Sequence, residues 1–125
     1  MLFRSEQTRG HVERLDQIFS QLGAGHTTKK CKGMEGLLEE GEEAVKEVPN
    51  GAACDAILIA GAQKVEHYEI ATYGTLCAWA EELGHDDAVD LLQETLDEES
   101  AANEKLTEIA EGGLITAGVN EAASD

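Results

Sequence analysis

Apolar residues recur along most of the chain at the three- and four-residue spacing that is typical of amphipathic helices. The pattern predicts four helices, at about residues 6–22, 32–48, 52–83 and 86–111. Pro49 ends the second helix because proline cannot continue the helical hydrogen-bond pattern, and Gly84 is a suitable residue to follow the third. Residues 113–125 show too little pattern for any element, and we expect a mobile tail there.

No stretch of the chain shows the sustained alternation of apolar and polar residues that indicates a β-strand. The fold class is therefore predicted to be all-α. The connections between the predicted helices are short, which favours antiparallel neighbours and hence a helical bundle. With 125 residues the chain is expected to form one domain, comprising residues 1–112 and followed by the tail.

Composition narrows the functional classes. The formal net charge is −17, with 26 acidic and 9 basic residues. Such an acidic chain lacks the basic surface that nucleic acids and anionic membranes require, so neither is expected as a partner. The sequence shows no signal peptide or membrane span, which predicts a cytoplasmic protein with reduced thiols. Cys54 and Cys77 are predicted core residues, whereas Cys31 precedes the second helix and its role stays open.

The segment KVEHYEIATYG, residues 64–74, places acidic side chains within a predicted core helix. At about 100° per residue, Glu66 and Glu69 fall inside the apolar stripe of the third helix, as does Tyr73. The same construction places Glu99 at the centre of the apolar stripe of the fourth helix, and His11 on the apolar face of the first. Three carboxylates, an imidazole and a phenol are thus predicted to face inward.

Two further residues extend this polar set. Asn103 lies on the apolar stripe of the fourth helix, and His67 lies at the edge of the stripe of the third, where it either supports the carboxylates or faces water. Buried carboxylates are costly unless they share protons, pair with cations or bind metal. Because Glu66 and Glu69 are neighbours on one helix surface, they can reach one ion or bridge two. The alternative, that each glutamate is solvated or salt-bridged, stays open, since no E-x-x-H motif is present.

Four segments of the chain carry a resemblance to a known family. They are QTRGHVERLDQIF, KCKGMEGLLEEG, AQKVEHYEIATYGTLCAWAEELGH and LLQETLDEESAANEKLTEIAEGG. They resemble the YciF-type ferritin-like proteins, a bacterial, stress-associated family, and VEHYEIATYGTL is the most specific part. The similarity extends over nearly the whole chain, from residue 6 to residue 112.

The resemblance implies a ferritin-like four-helix bundle with an additional short helix between its two helical hairpins. It also implies a dinuclear metal centre, for which iron or manganese is expected. The implied metal ligands are Glu66, Glu69, Glu99 and His11. The residues expected to support these ligands are Tyr73, Asn103 and His67.

The chain differs from the family pattern at its start. Family members normally carry a further full helix before the segment that matches EQTRGHVERL, and that helix is absent here. We therefore expect a ferritin-like bundle that lacks its first helix, and a homodimer that buries the uncovered face. Two functions stay open: a protein that binds iron or manganese and handles oxygen or peroxide, and a non-enzymatic dimeric structural or interaction module with a vestigial, empty metal site. The sequence does not decide whether the protein is an enzyme.

Overall fold

The structure is a computed structural model that describes residues 2–25, 27–113 and 116–124. Five α-helices follow one another in these ranges: α1 (Leu2–Gln21), α2 (Lys32–Glu47), α3 (Ala52–Glu82), α4 (Asp86–Glu111) and α5 (Val119–Ser124). The described residues contain no strand beyond an isolated bridge between Gly112 and Ala117, so the all-α prediction is confirmed. Across the same residues, no helix combines the length and the apolar character that crossing a bilayer requires.

The helix ends follow from residues that the sequence pattern indicated. Helix α2 ends at Glu47, just before Pro49. Gly84 follows α3 with a φ of 73°, and its N–H donates to the carbonyl of Glu81 at 3.0 Å. This left-handed conformation costs glycine little, which allows α4 to begin at Asp86 after a short turn. Helix α1 begins at Leu2, several residues earlier than the pattern predicted.

The predicted tail contains an element that the pattern did not indicate. Val119–Ser124 forms α5, and Gly112 and Gly118 pack closely in front of it. A Cβ atom on Gly112 would lie 2.4 Å from the backbone nitrogen of Gly118, so no side chain fits there. The domain boundary after residue 112 stays a prediction, and the tail residues 114, 115 and 125 lie outside the described ranges.

The helices form two compact units. The first comprises residues 1–29 and 69–99, and the second comprises residues 30–68 and 100–125. The division falls within α3 and α4, each of which is a continuous helix. The buried core of the first unit consists of Ile18, Cys77, Ala80, Ala88 and Leu92.

Several apolar side chains of the first unit remain in contact with solvent. Trp79 is 62% exposed and Leu83 is 70% exposed, one turn apart near the end of α3. In the same unit, Val12 of α1 is 54% exposed and Leu22, just after α1, is 45% exposed. Apolar surface is therefore left uncovered in this unit.

The second unit joins α2, the first part of α3 and the last part of α4. Gly61 of α3 lies against Gly41 of α2, since a Cβ atom on Gly61 would be 3.9 Å from the Cα of Gly41. The side chain of Gln63 donates to Thr107 Oγ1 of α4 at 2.8 Å. Cys54 is buried as predicted, with 5% of its surface exposed.

Candidate metal centre

Helix α3 supplies two carboxylates to the candidate site. Glu66 and Glu69 are one helical turn apart, so their side chains leave the helix on neighbouring positions of one face. Glu66 is 2% exposed and is among the most buried side chains that the structure describes, whereas Glu69 is half-buried. A charged side chain at that depth needs compensation from nearby groups.

Helix α4 supplies the third carboxylate, Glu99, which is 5% exposed. One carboxylate oxygen from each of Glu66, Glu69 and Glu99 lies within 4.8 Å of the other two. This grouping brings together the three carboxylates that the sequence placed on inward stripes. Metal binding by the group stays a prediction.

His11 of α1 lies beside Glu99 and is 9% exposed. Its Nδ1 atom is 3.0 Å from Oε1 of Glu99, and its Nε2 atom is 2.8 Å from Oε2 of Glu98. Both ring nitrogens therefore face carboxylate oxygens, which accept hydrogen bonds but do not donate them when ionised. His11 contacts one of the three clustered glutamates and is not itself part of the three-residue group.

Arg14, one turn after His11, holds Glu98 with both arms of its guanidinium group. Its Nη1 donates to Oε2 of Glu98 at 3.0 Å, and its Nη2 donates to Oε1 of the same residue at 2.8 Å. Nη2 also donates to Glu94 at 2.6 Å, and Nη1 donates to the hydroxyl of Thr95 at 3.1 Å. Such a fork is the strongest geometry available to an arginine–carboxylate pair.

The charges of this pair alter the protonation equilibria of both groups. The hydrogen bonds from Arg14, assisted by His11, lower the pKa of Glu98 below its ordinary value. The same bond to Glu98 raises the pKa of Arg14. Glu98 is therefore held as a carboxylate, and its two oxygens are occupied by α1.

Tyr73 lies on the same side of α3, half-buried, with its ring edge-on to His11 at a centroid distance of 6.4 Å. Burial raises the pKa of its phenol, and the charges of Glu69 and Glu99 raise it further. The phenol therefore keeps its proton at neutral pH and is a hydrogen-bond donor near the carboxylates.

The other predicted supporting residues have different surroundings. Asn103 is half-buried, and its Oδ1 accepts a long bond of 3.4 Å from Gln63. His67 is exposed, which favours the interpretation that it faces water.

Sequence reasoning missed the arginine network altogether. Neither Glu98 nor Arg14 was predicted as a site residue. The available signal was weak: Arg14 follows His11 at a spacing of three, and Glu94 and Glu98 are four apart on α4, so each pair shares a helix face.

Cys31, whose role the sequence left open, lies at the start of α2. Its Sγ atom is 3.1 Å from the hydroxyl of Tyr68. That hydrogen bond lowers the pKa of Cys31, and the backbone N–H of Met34 lowers it further. Gly33 provides the space for this contact, because a Cβ atom there would lie 2.7 Å from the Tyr68 ring.

Comparison with known proteins identifies a family and a relative that the chain resembles. It matches the family model described as "Domain of unknown function (DUF892)" over residues 4–123. It is 50% identical over 106 residues to Protein YciF of Escherichia coli (strain K12), a match that covers 84% of this chain and 64% of YciF. The chain therefore spans less than two thirds of the length of that relative.

Two solved structures are similar to this one. The first is described as "YcfI, a putative structural protein from Rhodopseudomonas palustris"; the TM-score is 0.80 at 50% identity, covering 84% of this chain and 67% of that one. The second is the crystal structure of the E. coli stress protein YciF, with a TM-score of 0.76 at 50% identity, covering 82% of this chain and 65% of that one. The resemblance seen in the sequence is thus confirmed, and the chain belongs to the DUF892 family.

Proposed function

We propose that the protein binds iron or manganese through the carboxylates of Glu66, Glu69 and Glu99. The observation that supports this most directly is the grouping of three carboxylate oxygens within 4.8 Å of one another, two of them from side chains at most 5% exposed. Exposed acidic clusters are common on an acidic protein, but acidic side chains are almost never fully buried unless they have a partner.

The chemistry of the donor set fits these two metals. Carboxylate oxygens are hard ligands that suit manganese and ferrous iron, and a nearby imidazole suits iron as well. The set contains no thiolate, so it does not favour zinc over these ions. Ferritin-like bundles build their di-iron and di-manganese centres from glutamates on facing helices, which is the arrangement of residue types found here.

The protein's own residues have separable roles in this proposal. Glu66 and Glu99 would hold the ion with buried carboxylates, and Glu69 would hold it with a half-buried one. Tyr73 holds a proton on its phenolic oxygen close to Glu69 and Glu99 and can donate it to a bound ligand. A bound iron or manganese ion would supply Lewis-acid and redox chemistry toward oxygen or peroxide.

Metal analysis of the purified protein tests the proposal. Protein prepared without chelator should carry iron or manganese in near-stoichiometric amount, and Glu66→Gln should lose it. Glu82→Gln, which removes an exposed charge from the same helix, is the matched control and should keep the metal. Equal metal content in the wild-type protein and Glu66→Gln, or no metal after incubation with either ion, would refute the proposal.

Assembly without catalysis is the second candidate function. It is favoured by the exposure of Trp79, at 62%, near the end of α3 and of Leu83, at 70%, just after that helix, and by the description of the similar protein YcfI as "a putative structural protein". In this alternative a second copy of the chain covers these side chains through a two-fold contact, and the metal site is vestigial. The net charge of −17 opposes self-association, so the dimer should strengthen as salt screens the repulsion.

Sedimentation equilibrium distinguishes this candidate from the first. A dimer that survives EDTA, tightens with added salt and dissociates in the double variant Trp79→Gln/Leu83→Gln supports assembly through α3. Leu38→Gln, at a position that is 54% exposed on α2, is the matched control. A monomer at all salt concentrations would eliminate the candidate.

A further inference from the structure

A continuous series of contacts leads from the half-buried Arg14 to the proposed metal ligand Glu99. The guanidinium of Arg14 donates to the two carboxylate oxygens of Glu98 at 2.8 and 3.0 Å. Oε2 of Glu98 is 2.8 Å from Nε2 of His11, and Nδ1 of His11 is 3.0 Å from Oε1 of Glu99. All of these residues belong to the same compact unit. Because each link joins charged or polar groups within hydrogen-bonding distance, the position of one side chain restricts the next.

We propose that Arg14 is a positioning residue for the metal centre: through Glu98 it holds His11 in the orientation in which Nδ1 donates to Glu99 and fixes that carboxylate as a ligand. The inference rests on the proposed function. It assigns His11 the role of a hydrogen-bond donor to a metal ligand, in place of the ligand role that the family resemblance implied. Groups that hold metal ligands in this way tune affinity without touching the ion.

The geometry of the imidazole supports this assignment. Both ring nitrogens already contact carboxylate oxygens, Nδ1 that of Glu99 at 3.0 Å and Nε2 that of Glu98 at 2.8 Å, so each nitrogen is engaged by a side chain. Direct coordination by His11 would require one of these two contacts to break. Its orientation is further restricted by Tyr73, whose ring lies edge-on at 6.4 Å.

The paired hydrogen bonds from Arg14 to Glu98 restrict the end of this series of contacts that is farthest from Glu99. Two donors on one planar group fix both oxygens of Glu98, and Thr95, which is 1% exposed, receives a bond from the same guanidinium. Arg14→Lys keeps the positive charge but loses the paired hydrogen bonds to the two oxygens of Glu98. The charge-conserving variant therefore separates positioning from simple electrostatic attraction.

Manganese binding to the full chain tests the inference, followed through the electron paramagnetic resonance signal of free Mn²⁺. Arg14→Lys and His11→Gln should keep the wild-type stoichiometry, while their dissociation constants rise about 10- to 100-fold. Arg9→Lys, at an exposed position on the same helix, should bind like the wild-type protein. In the wild-type complex, pulsed measurements should show no directly coordinated imidazole nitrogen.

The outcomes are distinguishable. If the wild-type protein binds Mn²⁺ and Arg14→Lys binds it with the same affinity, the inference is overturned and the proposed function stands. The same conclusion follows if the wild-type complex contains a directly coordinated nitrogen that His11→Gln removes. A wild-type protein that binds no Mn²⁺ refutes the proposed function and this inference together. A purely structural network would lower the melting temperature and leave the affinity of the folded protein unchanged. If Arg14→Lys does not fold, Glu98→Gln, which keeps the side chain's shape, tests the same contact and is expected to weaken binding in the same way.

Discussion

Replacing Glu69 with glutamine removes one charge from the group of three carboxylates and keeps the size of the side chain. The oxygens of the group lie within 4.8 Å of one another. At such a separation two full negative charges repel by about 3 kcal/mol at an effective dielectric constant of roughly 20. Glu69 faces two such charges, but shared protons and neighbouring donors lower the repulsion. We therefore expect Glu69→Gln without metal to be more stable than the metal-free wild-type protein, with a free energy of unfolding about 1–3 kcal/mol higher.

Added metal should reverse this order of stability. An ion that binds only the folded state stabilises it by about 2.7 kcal/mol when its free concentration is about 100 times the dissociation constant. The wild-type protein would gain this stabilisation, whereas Glu69→Gln would gain much less because one of its three anionic ligands has become neutral. The two proteins should therefore exchange rank when Mn²⁺ replaces EDTA in the buffer.

Urea unfolding at neutral pH, followed by far-ultraviolet circular dichroism with and without Mn²⁺, provides the measurement. Glu82→Gln, the exposed control on α3, should stay within about 0.5 kcal/mol of the wild-type protein in both buffers. A metal-free Glu69→Gln that is less stable than the wild-type protein would show that Glu69 makes contacts worth more than the repulsion it suffers. That result would refute the electrostatic reasoning, whatever the protein binds.

Three further predictions concern other parts of the molecule. Leu92→Ala, at a core position that is 5% exposed, should lower the free energy of unfolding by about 2–5 kcal/mol in urea, and a loss under about 1 kcal/mol would contradict the packing described. Arg14 lowers the pKa of Glu98 in the folded state, so the ionised carboxylate stabilises the protein above its unfolded pKa of about 4.3. This contribution disappears as the pH falls through the lower folded pKa. Glu98→Gln should therefore be less stable than the wild-type protein at neutral pH, and unfolding curves measured in acid should show no difference between the two. Since the Tyr68 hydroxyl lowers the pKa of Cys31, iodoacetamide should label Cys31 faster than the two buried cysteines, and Tyr68→Phe should slow that labelling at neutral pH; equal rates in the variant and the wild-type protein would count against the hydrogen bond.

The long helices could be predicted from the sequence because their apolar spacing persists over several turns. Helix α3 ends within a residue of its predicted end because Gly84 supplies a conformation that other residues rarely adopt. Helix α5 could not be predicted, since it is only a short segment after Gly112 and Gly118, and their close packing is a tertiary contact without periodicity.

The directions of the clustered glutamates were also accessible from the sequence, because helical spacing fixes the side of a helix from which a side chain leaves. Helical spacing does not show which side chains of another helix will contact a given residue. Glu98 is beside the α4 stripe, yet its carboxylate is held by Arg14, whose long side chain reaches it from another helix. No activating side chain lies near Cys31 in the sequence, and Tyr68, whose hydroxyl contacts the thiol, is 37 residues away.

Trp79 is the chain's only tryptophan, and it lies outside the core on α3 with 62% of its surface exposed. Its indole fluorescence should therefore resemble that of the unfolded chain even in the native protein, because water surrounds the ring in both states. An emission scan would change little while the helices melt, and would give a false impression of an unusually stable protein. A blue shift at constant helix content would instead show that another surface has covered this side of α3.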